Sequence, residues 1–270
     1  MRLATWNTLW RFGDWQPRQA VLRDQLIEQQ ADVVLLQETW PAQARELAAA
    51  CGMQVLGFSG GYFDQTLSSV PTDAEFGNAV FARDGEIVAD QAFPGPGDPA
   101  PRRLLVAHVD GRYFATSHLS HMADAGENRA AQLRLIVATI GETIGTETAF
   151  VFGGDCNLLP HSAEHGVAVG LGLRDLWAEQ HPGDHGATMV PDNPEISWVK
   201  WMDERNGDAV PAGTGVRLDY LWASAGIGCR SVKQFGRGVA ISRPAEDGIV
   251  DNPDGVRWGS DHLGLVAEFD

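Results

Sequence analysis

The stretch that most constrains this chain is Phe150-Val151-Phe152-Gly153-Gly154-Asp155-Cys156-Asn157. A short, β-favouring apolar run bounded by glycine reads as a buried strand, and the two glycines allow close backbone approach at its end. The strand therefore delivers Asp155 to a rim. If the extended geometry continues, Asp155 and Asn157 point the same way, forming an oxygen-rich corner suited to a hard cation or a reacting water. The same residues also satisfy an ordinary turn closing a strand, so the rest of the chain must supply the partners.

Several other segments repeat the design. Residues 2–6 alternate and end at Asn7. Residues 32–38 form a buried run whose last residue is Glu38. Asp110-Gly111 is a two-residue hairpin signal that returns the chain through residues 113–117 to His118. Asp219 interrupts the apolar strand 216–223, and Asp261-His262 opens the strand 262–269. Further strands are expected at 78–83, 104–109 and 229–235, with one short strand after Gln54 and the remainder of 54–73 a long surface loop.

Helices are expected over residues 17–30, with Pro17 in the first turn, over 41–51, capped by Thr39 and stopped by Gly52, and over 126–144, where Leu133, Ile136, Val137 and Ile140 share one side. Trp10, Phe12 and Trp15 fall in an aromatic rim loop, and residues 182–215 read as an ordered loop near the site. Strands interspersed with a few helices predict two sheets packed face to face with helices outside.

Composition limits the function classes. The 270 residues, 44% apolar, suffice for one hydrophobic core and a single domain. No run reaches the roughly 18 apolar residues of a membrane span, and the N-terminus runs straight into strand-like sequence without a signal core. A soluble, cytoplasmic protein is expected. Cys51, Cys156 and Cys229 are odd in number and widely spaced, which fits reduced thiols rather than disulfides or a cysteine-rich zinc site. The net charge of −16 opposes tight binding to duplex nucleic acid or anionic membranes. Lys200 and Lys233 are the only lysines; the other cations are arginines, suited to a few bidentate phosphate contacts.

Strand ends converge on rims, so Asn7, Glu38, His118, Asp155, Asp219 and Asp261-His262 are candidates for one site. Metal-assisted phosphoryl transfer needs hard oxygen ligands, a group that activates water, and a cation or imidazole to offset phosphorane charge; the set supplies all three. Asp219, buried in a strand, wants a partner. His262 is the natural one, because an Asp bonded to one imidazole nitrogen fixes the tautomer and aims the other nitrogen at substrate. The plainer readings are a turn for Asn7, a helix N-terminal acid for Glu38, and satisfied structural histidines for His118 and His121.

Taken in order, Asn7, Gln37-Glu38, Gly77-Asn78-Ala79, Ser117-His118-Leu119, Gly153-Gly154-Asp155-Cys156-Asn157, Arg217-Leu218-Asp219-Tyr220 and Ser260-Asp261-His262 resemble the motifs of the endonuclease/exonuclease/phosphatase superfamily, across nearly the whole chain. The resemblance implies a DNase I-like four-layer α/β/β/α sandwich and a phosphohydrolase dependent on Mg2+ (or Mn2+). It implies that Asn7, Glu38 and Asp261 hold the metal, assisted by Asp155 and Asn157. Asp155 would orient or deprotonate the attacking water with Asn157 placing it, His262 paired to Asp219 would bind the scissile phosphate, and His118 would contact a phosphate oxygen or assist the leaving group. Asn78 would be a further, lesser candidate for a phosphate contact. Two departures stand out: Cys156 replaces a bulkier apolar residue, and His118 lacks an evident acid partner, with Glu75 and Asp84 as candidates.

Competing readings follow from other features. Gly57-Phe58-Ser59-Gly60-Gly61 satisfies the G-x-S-x-G pattern of serine hydrolases, with Asp219 and His262 in the appropriate order, but no helix follows Ser59. A binding module that keeps the fold without the reaction is the second alternative. Within the hydrolase reading, substrates range over DNA, RNA, small phosphodiesters, lipid headgroups and phosphomonoesters. Acidity favours a modest nuclease or small-molecule diesterase, with Trp10, Phe12, Trp15, Trp198 and Trp201 able to stack on a flat group. No membrane-docking segment and no obligate protein partner are indicated.

Overall fold

Side-chain alternation along a handful of strands explains the layering of the whole chain. The computed structural model describes residues 1–66, 73–95, 97–122, 124–196, 215–240 and 256–270. Among these, β1 (Arg2–Asn7), β2 (Val33–Thr39), β3 (Gln54–Gly61), β4 (Phe76–Ala82), β11 (Cys229–Phe235) and β14 (Gly264–Phe269) form a six-stranded sheet in the order β11-β14-β1-β2-β4-β3. β5 (Glu86–Phe93), β6 (Arg102–Val109), β7 (Arg112–Ser117), β8 (Phe150–Asp155), β9 (Arg174–Asp175) and β10 (Asp219–Ala223) form the second, in the order β5-β6-β7-β8-β10-β9. β12 (Val239–Ala240) and β13 (Val256–Arg257) make a small separate hairpin-like pair.

Odd and even positions of each strand go to different cores, as the two-residue period of a strand requires. Leu3, Val33, Leu35, Phe114, Val151 and Leu221 meet between the sheets. Their neighbours Ala4, Val34 and Leu36 face outward onto α1 (Trp15–Gln29) and α2 (Pro41–Ala50) through Leu22, Leu26, Ala44 and Leu47. On the other side, Leu104, Val106, Phe150, Phe152 and Trp222 face Leu133, Ile136 and Ile140 of α3 (Gly126–Ile144) and Ala168 of α4 (Ala163–Gly170). The result is the expected four-layer α/β/β/α sandwich. α5 (Leu176–Gln180) packs Leu176 and Trp177 against the edge of the central core. No helix among the described residues is long and apolar enough to cross a membrane.

Topology decides which strand ends meet. β1 runs parallel to β2, and β7 parallel to β8, so Asn7, Glu38, His118 and Asp155 leave their sheets at one end. β10 is antiparallel to β8, which sets its first residue, Asp219, opposite Asp155, and β14 is antiparallel to β1, which brings the preceding Asp261-His262 to the same end.

Some expectations shift. β3 runs through Gly61, so residues 54–61, expected as largely loop after a short strand, are a full strand. β5, α4, α5 and β9 had no counterpart in the sequence reading. α2 is preceded by Trp40 without a side-chain cap; Thr39 instead bonds Gln43, Oγ1 to Oε1 at 2.7 Å. Of the loop expected at 182–215, residues 197–214, including Trp198 and Trp201, lie outside the described residues.

Candidate active site

Asn7, His118, Asp155 and Asp219 each terminate a rail of inward-facing positions whose polarity rises toward the rim. The rails Leu3-Thr5-Asn7, Phe114-Thr116-His118, Val151-Gly153-Asp155 and Leu221-Asp219 pass from the central core to one cavity. Gln37 tethers two of them, donating from Nε2 to Thr5 Oγ1 (3.1 Å) and Thr116 Oγ1 (2.8 Å) across the sheets. Glu38 would face away under strict alternation. A register shift between Leu36 and Thr39, with Glu38 at φ 51°, turns it back to the cavity; such a bulge re-aims a side chain at the cost of a left-handed backbone.

The groups converge. The ligand atoms of Glu38, His118 and Asp155 lie within 4.8 Å of one another, as do those of Asp155, Asp219 and His262. Asp261 joins neither group, and its Oδ1 lies 3.9 Å from His262 Nε2. Asn7 bridges two carboxylates, donating to Glu38 Oε1 (3.1 Å) and Asp155 Oδ2 (2.9 Å), while its amide oxygen accepts from Leu9 N (3.0 Å). Asp155 Oδ1 accepts from the backbone of Asn157 (2.9 Å). That turn puts Asn157 at φ 50°, so the extended geometry does not continue past Asp155. The Asn157 amide goes instead to His118 Nε2 (2.9 Å) and Leu119 O (3.3 Å).

These contacts set the proton inventory. Burial first, then Asp261, pushes the Glu38 carboxyl up to about 7; burial pushes Asp155 up to about 6, with His262 opposing and Asp219 assisting. Burial likewise raises Asp261. His118 is held well below the ordinary imidazole range by burial, then by the charges of Arg102, His121 and His262. It is therefore neutral: Nε2 accepts from Asn157, and Nδ1 carries the proton without a hydrogen-bond acceptor. For His262, burial alone would depress the pKa, but Asp219, Asp261 and Asp155 outweigh it and raise it well above the usual value. Its Nδ1 donates to Asp219 Oδ2 at 2.7 Å, and Nε2 faces Asp155 Oδ2 at 3.8 Å.

The shell around this centre is built of residues that sequence reasoning passed over. Thr188 Oγ1 accepts from Leu218 N (3.1 Å) and Asp219 N (3.2 Å), and its carbonyl accepts from Leu263 N (2.7 Å), clamping the Asp219–His262 pair. Arg18, buried in α1, donates to Gly259 O (3.0 Å), Leu9 O (3.1 Å) and Phe12 O (2.7 Å), fixing the loops on either side of Asn7 and Asp261. Arg102, at the start of β6, donates from Nη2 to Asp98 Oδ1 (3.3 Å) and His121 Nδ1 (2.7 Å). Only arginine's general suitability for phosphate contacts hinted at it. The mouth is a cavity of about 340 Å³ with the carboxylates and histidines on its floor and Phe12, Phe63 and Phe76 on one wall.

Five candidates do not take the places expected of them. Asn78 is buried and donates to Arg103 O (3.0 Å), away from the cavity lining, because its β4 position faces a neighbouring strand. Glu75 and Asp84 are not the acids beside His118; Glu38 and Asp155 are, at 3.8 and 3.4 Å. Trp10 packs with Phe63 and Phe76 rather than standing on the rim. Ser59 sits inside β3 with Oγ against Asp90 and Arg103, remote in bonding from His262 and with no helix following, so it builds no nucleophile elbow. Cys156 is buried in the outer core, a packing role. His121, read as structural, lines the cavity.

A sequence profile described as the Endonuclease/Exonuclease/phosphatase family matches residues 4–262. The chain belongs to that family. Members of the family are phosphoester hydrolases that generally use divalent metals. A comparison with curated protein sequences returns no match. Among solved structures, the chain resembles D. rerio TDP2 complexed with single-strand DNA product, at 21% identity and a TM-score of 0.66 over 100% of this chain and 98% of that one. It resembles a Bacteroides thetaiotaomicron mannosyl-6-phosphatase at 17% identity and TM-score 0.71, over 100% and 99%, and the human Nocturnin catalytic domain with bound sulfate at 19% and 0.68, over 100% and 93%. At these identities the likeness establishes the shared fold.

The donor set of this family member fits a hard divalent cation. Its acids are oxygen ligands, Glu38 Oε2 is buried without a hydrogen-bond partner among the described residues, and three carboxyls crowd where burial disfavours their charge. Asn7 fits less directly, since its amide oxygen already accepts from Leu9 N.

Proposed function

We propose that this chain is a divalent-metal-dependent phosphodiesterase that cleaves its ester by in-line attack of water, acting as one domain in the cytoplasm. The observation that carries the reading is the Asp219–His262–Asp155 line, with His262, Asp155 and neighbouring Glu38 lining the cavity and Asp219 behind His262. Glu38 and Asp261 would hold Mg2+ or Mn2+, which when bound supplies Lewis-acid charge at a phosphoryl oxygen. Asp155 serves as the water's base: its oxygens are oriented by Asn157 N and Asn7 Nδ2, and a carboxyl pushed up to about 6 can take a proton near neutrality. His262, kept cationic by Asp219, offsets phosphorane charge through Nε2. His118 donates its otherwise unaccepted Nδ1 proton to a phosphate or leaving-group oxygen.

The aromatic wall supports a diester over a monoester, because it gives a second, carbon-rich ester group a surface to lie on. Free Cys51, Cys156 and Cys229 support a reducing compartment. The net charge argues against tight duplex binding and leaves nucleic-acid ends or small esters as substrates. The test is a panel of bis(p-nitrophenyl) phosphate, p-nitrophenyl phosphate, plasmid DNA and sphingomyelin with Mg2+ or Mn2+, each repeated with chelator. Chelator-sensitive diester hydrolysis, unaffected by a serine-reactive fluorophosphonate, is expected; inactivity across the panel would leave a silent binding module.

A further inference from the structure

Arg102 is 3% exposed, yet it lines the same cavity as His118 and His262. Its hydrogen bonds all come from one nitrogen: Nη2 donates to Asp98 Oδ1 and to His121 Nδ1. Nε and Nη1, which carry the rest of the guanidinium's N–H groups, are buried with no acceptor among the described residues. Leaving a charged donor group so enclosed and unanswered is unfavourable, and a site that tolerates it is prepared for an acceptor that arrives with a ligand. The surroundings hold the group still. Asp98 is anchored by Ser120, whose hydroxyl also accepts from Gln132 Nε2 at 2.9 Å, and α3 carries Gln132. Because His121 Nδ1 accepts from Arg102, its Nε2 bears the proton and is a second donor on this side of the cavity.

Nε and Nη1 lie on opposite sides of the guanidinium, each two-pronged edge including the already engaged Nη2, so each can answer an anionic oxygen by a separate charge-assisted hydrogen bond. The phosphoryl group under attack is already met by His262 and His118, so a separate anion is needed to satisfy Arg102. Resting on the phosphodiesterase reading, we propose that Arg102, assisted by His121, binds a second phosphate of the substrate, next to the ester being cleaved. The preferred substrate class is then a nucleotide-like ester carrying adjacent phosphates. The second phosphate is either a terminal monoester or the next diester of a strand.

The test compares wild type and Arg102→Gln on three substrates that differ only in that group: the dinucleotide TpT, its 5′-phosphorylated form pTpT, and the trinucleotide TpTpT. Wild type is expected to prefer pTpT or TpTpT over TpT by tenfold or more in kcat/KM, mostly through KM, and R102Q to lose that preference. The arm that shows it identifies a terminal phosphate or a neighbouring diester. A preference that survives R102Q, or none in wild type, overturns the proposal, as does an equal loss on all three substrates with no change in ratio. Calorimetric titration of metal-free protein with inorganic phosphate reads the subsite without turnover. Binding weakened at least tenfold by R102Q supports the subsite even if no ester is hydrolysed, whereas equal binding overturns it and leaves the phosphodiesterase reading intact. Should R102Q fail to fold, Arg102→Lys keeps the charge but loses the separate Nε and Nη1 donors, and is expected to show an intermediate preference; a wild-type preference would overturn the role given to those two nitrogens.

Discussion

At the scale of single residues, the site is a set of buried charges that oppose one another until something cationic arrives. Asp155→Asn removes the base and His262→Ala the cation, and each is expected to lower kcat by about 10²–10⁴, measured on bis(p-nitrophenyl) phosphate. Neither should lower thermal stability of the metal-free protein much, because burial disfavours the Asp155 charge and the histidine's bonds serve mainly its own orientation; unfolding followed by circular dichroism checks this. Glu38→Gln separates metal from fold. Wild type should gain thermal stability on adding Mg2+ or Mn2+, by about 2.7 kcal/mol at a hundredfold excess over Kd, and lose the gain with chelator. The variant should start equal or higher in chelator, since it no longer buries a carboxyl held up near 7, and gain little from the metal. A full metal-induced shift in Glu38→Gln would remove Glu38 from the metal centre.

At the scale of elements, register matters more than propensity. Thr188 belongs to a loop, yet its hydroxyl accepts from two successive amides at the start of β10 and its carbonyl from Leu263 ahead of β14. Thr188→Val preserves shape and strands those amides, so a cost of about 1–3 kcal/mol is expected, along with a fall in kcat because Asp219 loses its fixed start; denaturant titration and turnover together test this, and lost stability with unchanged kcat would show that Asp219 is held by other means. β8 shows why its glycines are there: a Cβ at Gly154 would collide with the Ser117 carbonyl of β7, and one at Gly153 would press on Leu221 from 2.8 Å. The inner strands were legible because they are buried on both faces and read as apolar runs. β5 was not, because it is an edge strand with exposed Glu86, Asp90 and Gln91 and a register shift between Ile87 and Ala89; those charges and that bulge protect an edge and erase the pattern. α4 is short and interrupted by Gly166, leaving too little periodicity to read.

At the scale of the whole molecule, long-range ion pairs tie the second sheet's edge to the loops beneath the site. Asp175 accepts from both Nη nitrogens of Arg217, at 3.1 and 2.7 Å, and lies 3.1 Å from His165 Nε2. Burial alone would raise its pKa, but His165 and Arg217 outweigh it, so its folded pKa lies below the ordinary aspartate range. A depressed carboxyl contributes stability at pH values above its unfolded pKa, and that contribution is lost as pH falls through the folded value. Asp175→Asn should therefore cost about 3 kcal/mol at neutral pH, with the gap to wild type narrowing below about pH 4. Melting curves from pH 7 to 3 measure it, and a gap that widened on acidification would reverse the sign assigned to Asp175.

The sequence by itself determined the strand rails, their polar terminations and the order of motifs, because a strand's two-residue period is a local property that side-chain polarity records directly. It also carried the Asp219–His262 pairing, since an acid inside an apolar strand demands a partner. Only the tertiary structure decided that Asn157 serves His118, that Asn78 turns away, that His118 is neutral while His262 is charged, and that Arg102 lines the cavity with Nε and Nη1 unanswered among the described residues. Those outcomes depend on which strands lie side by side and how completely they exclude water. Neither is written in any one segment.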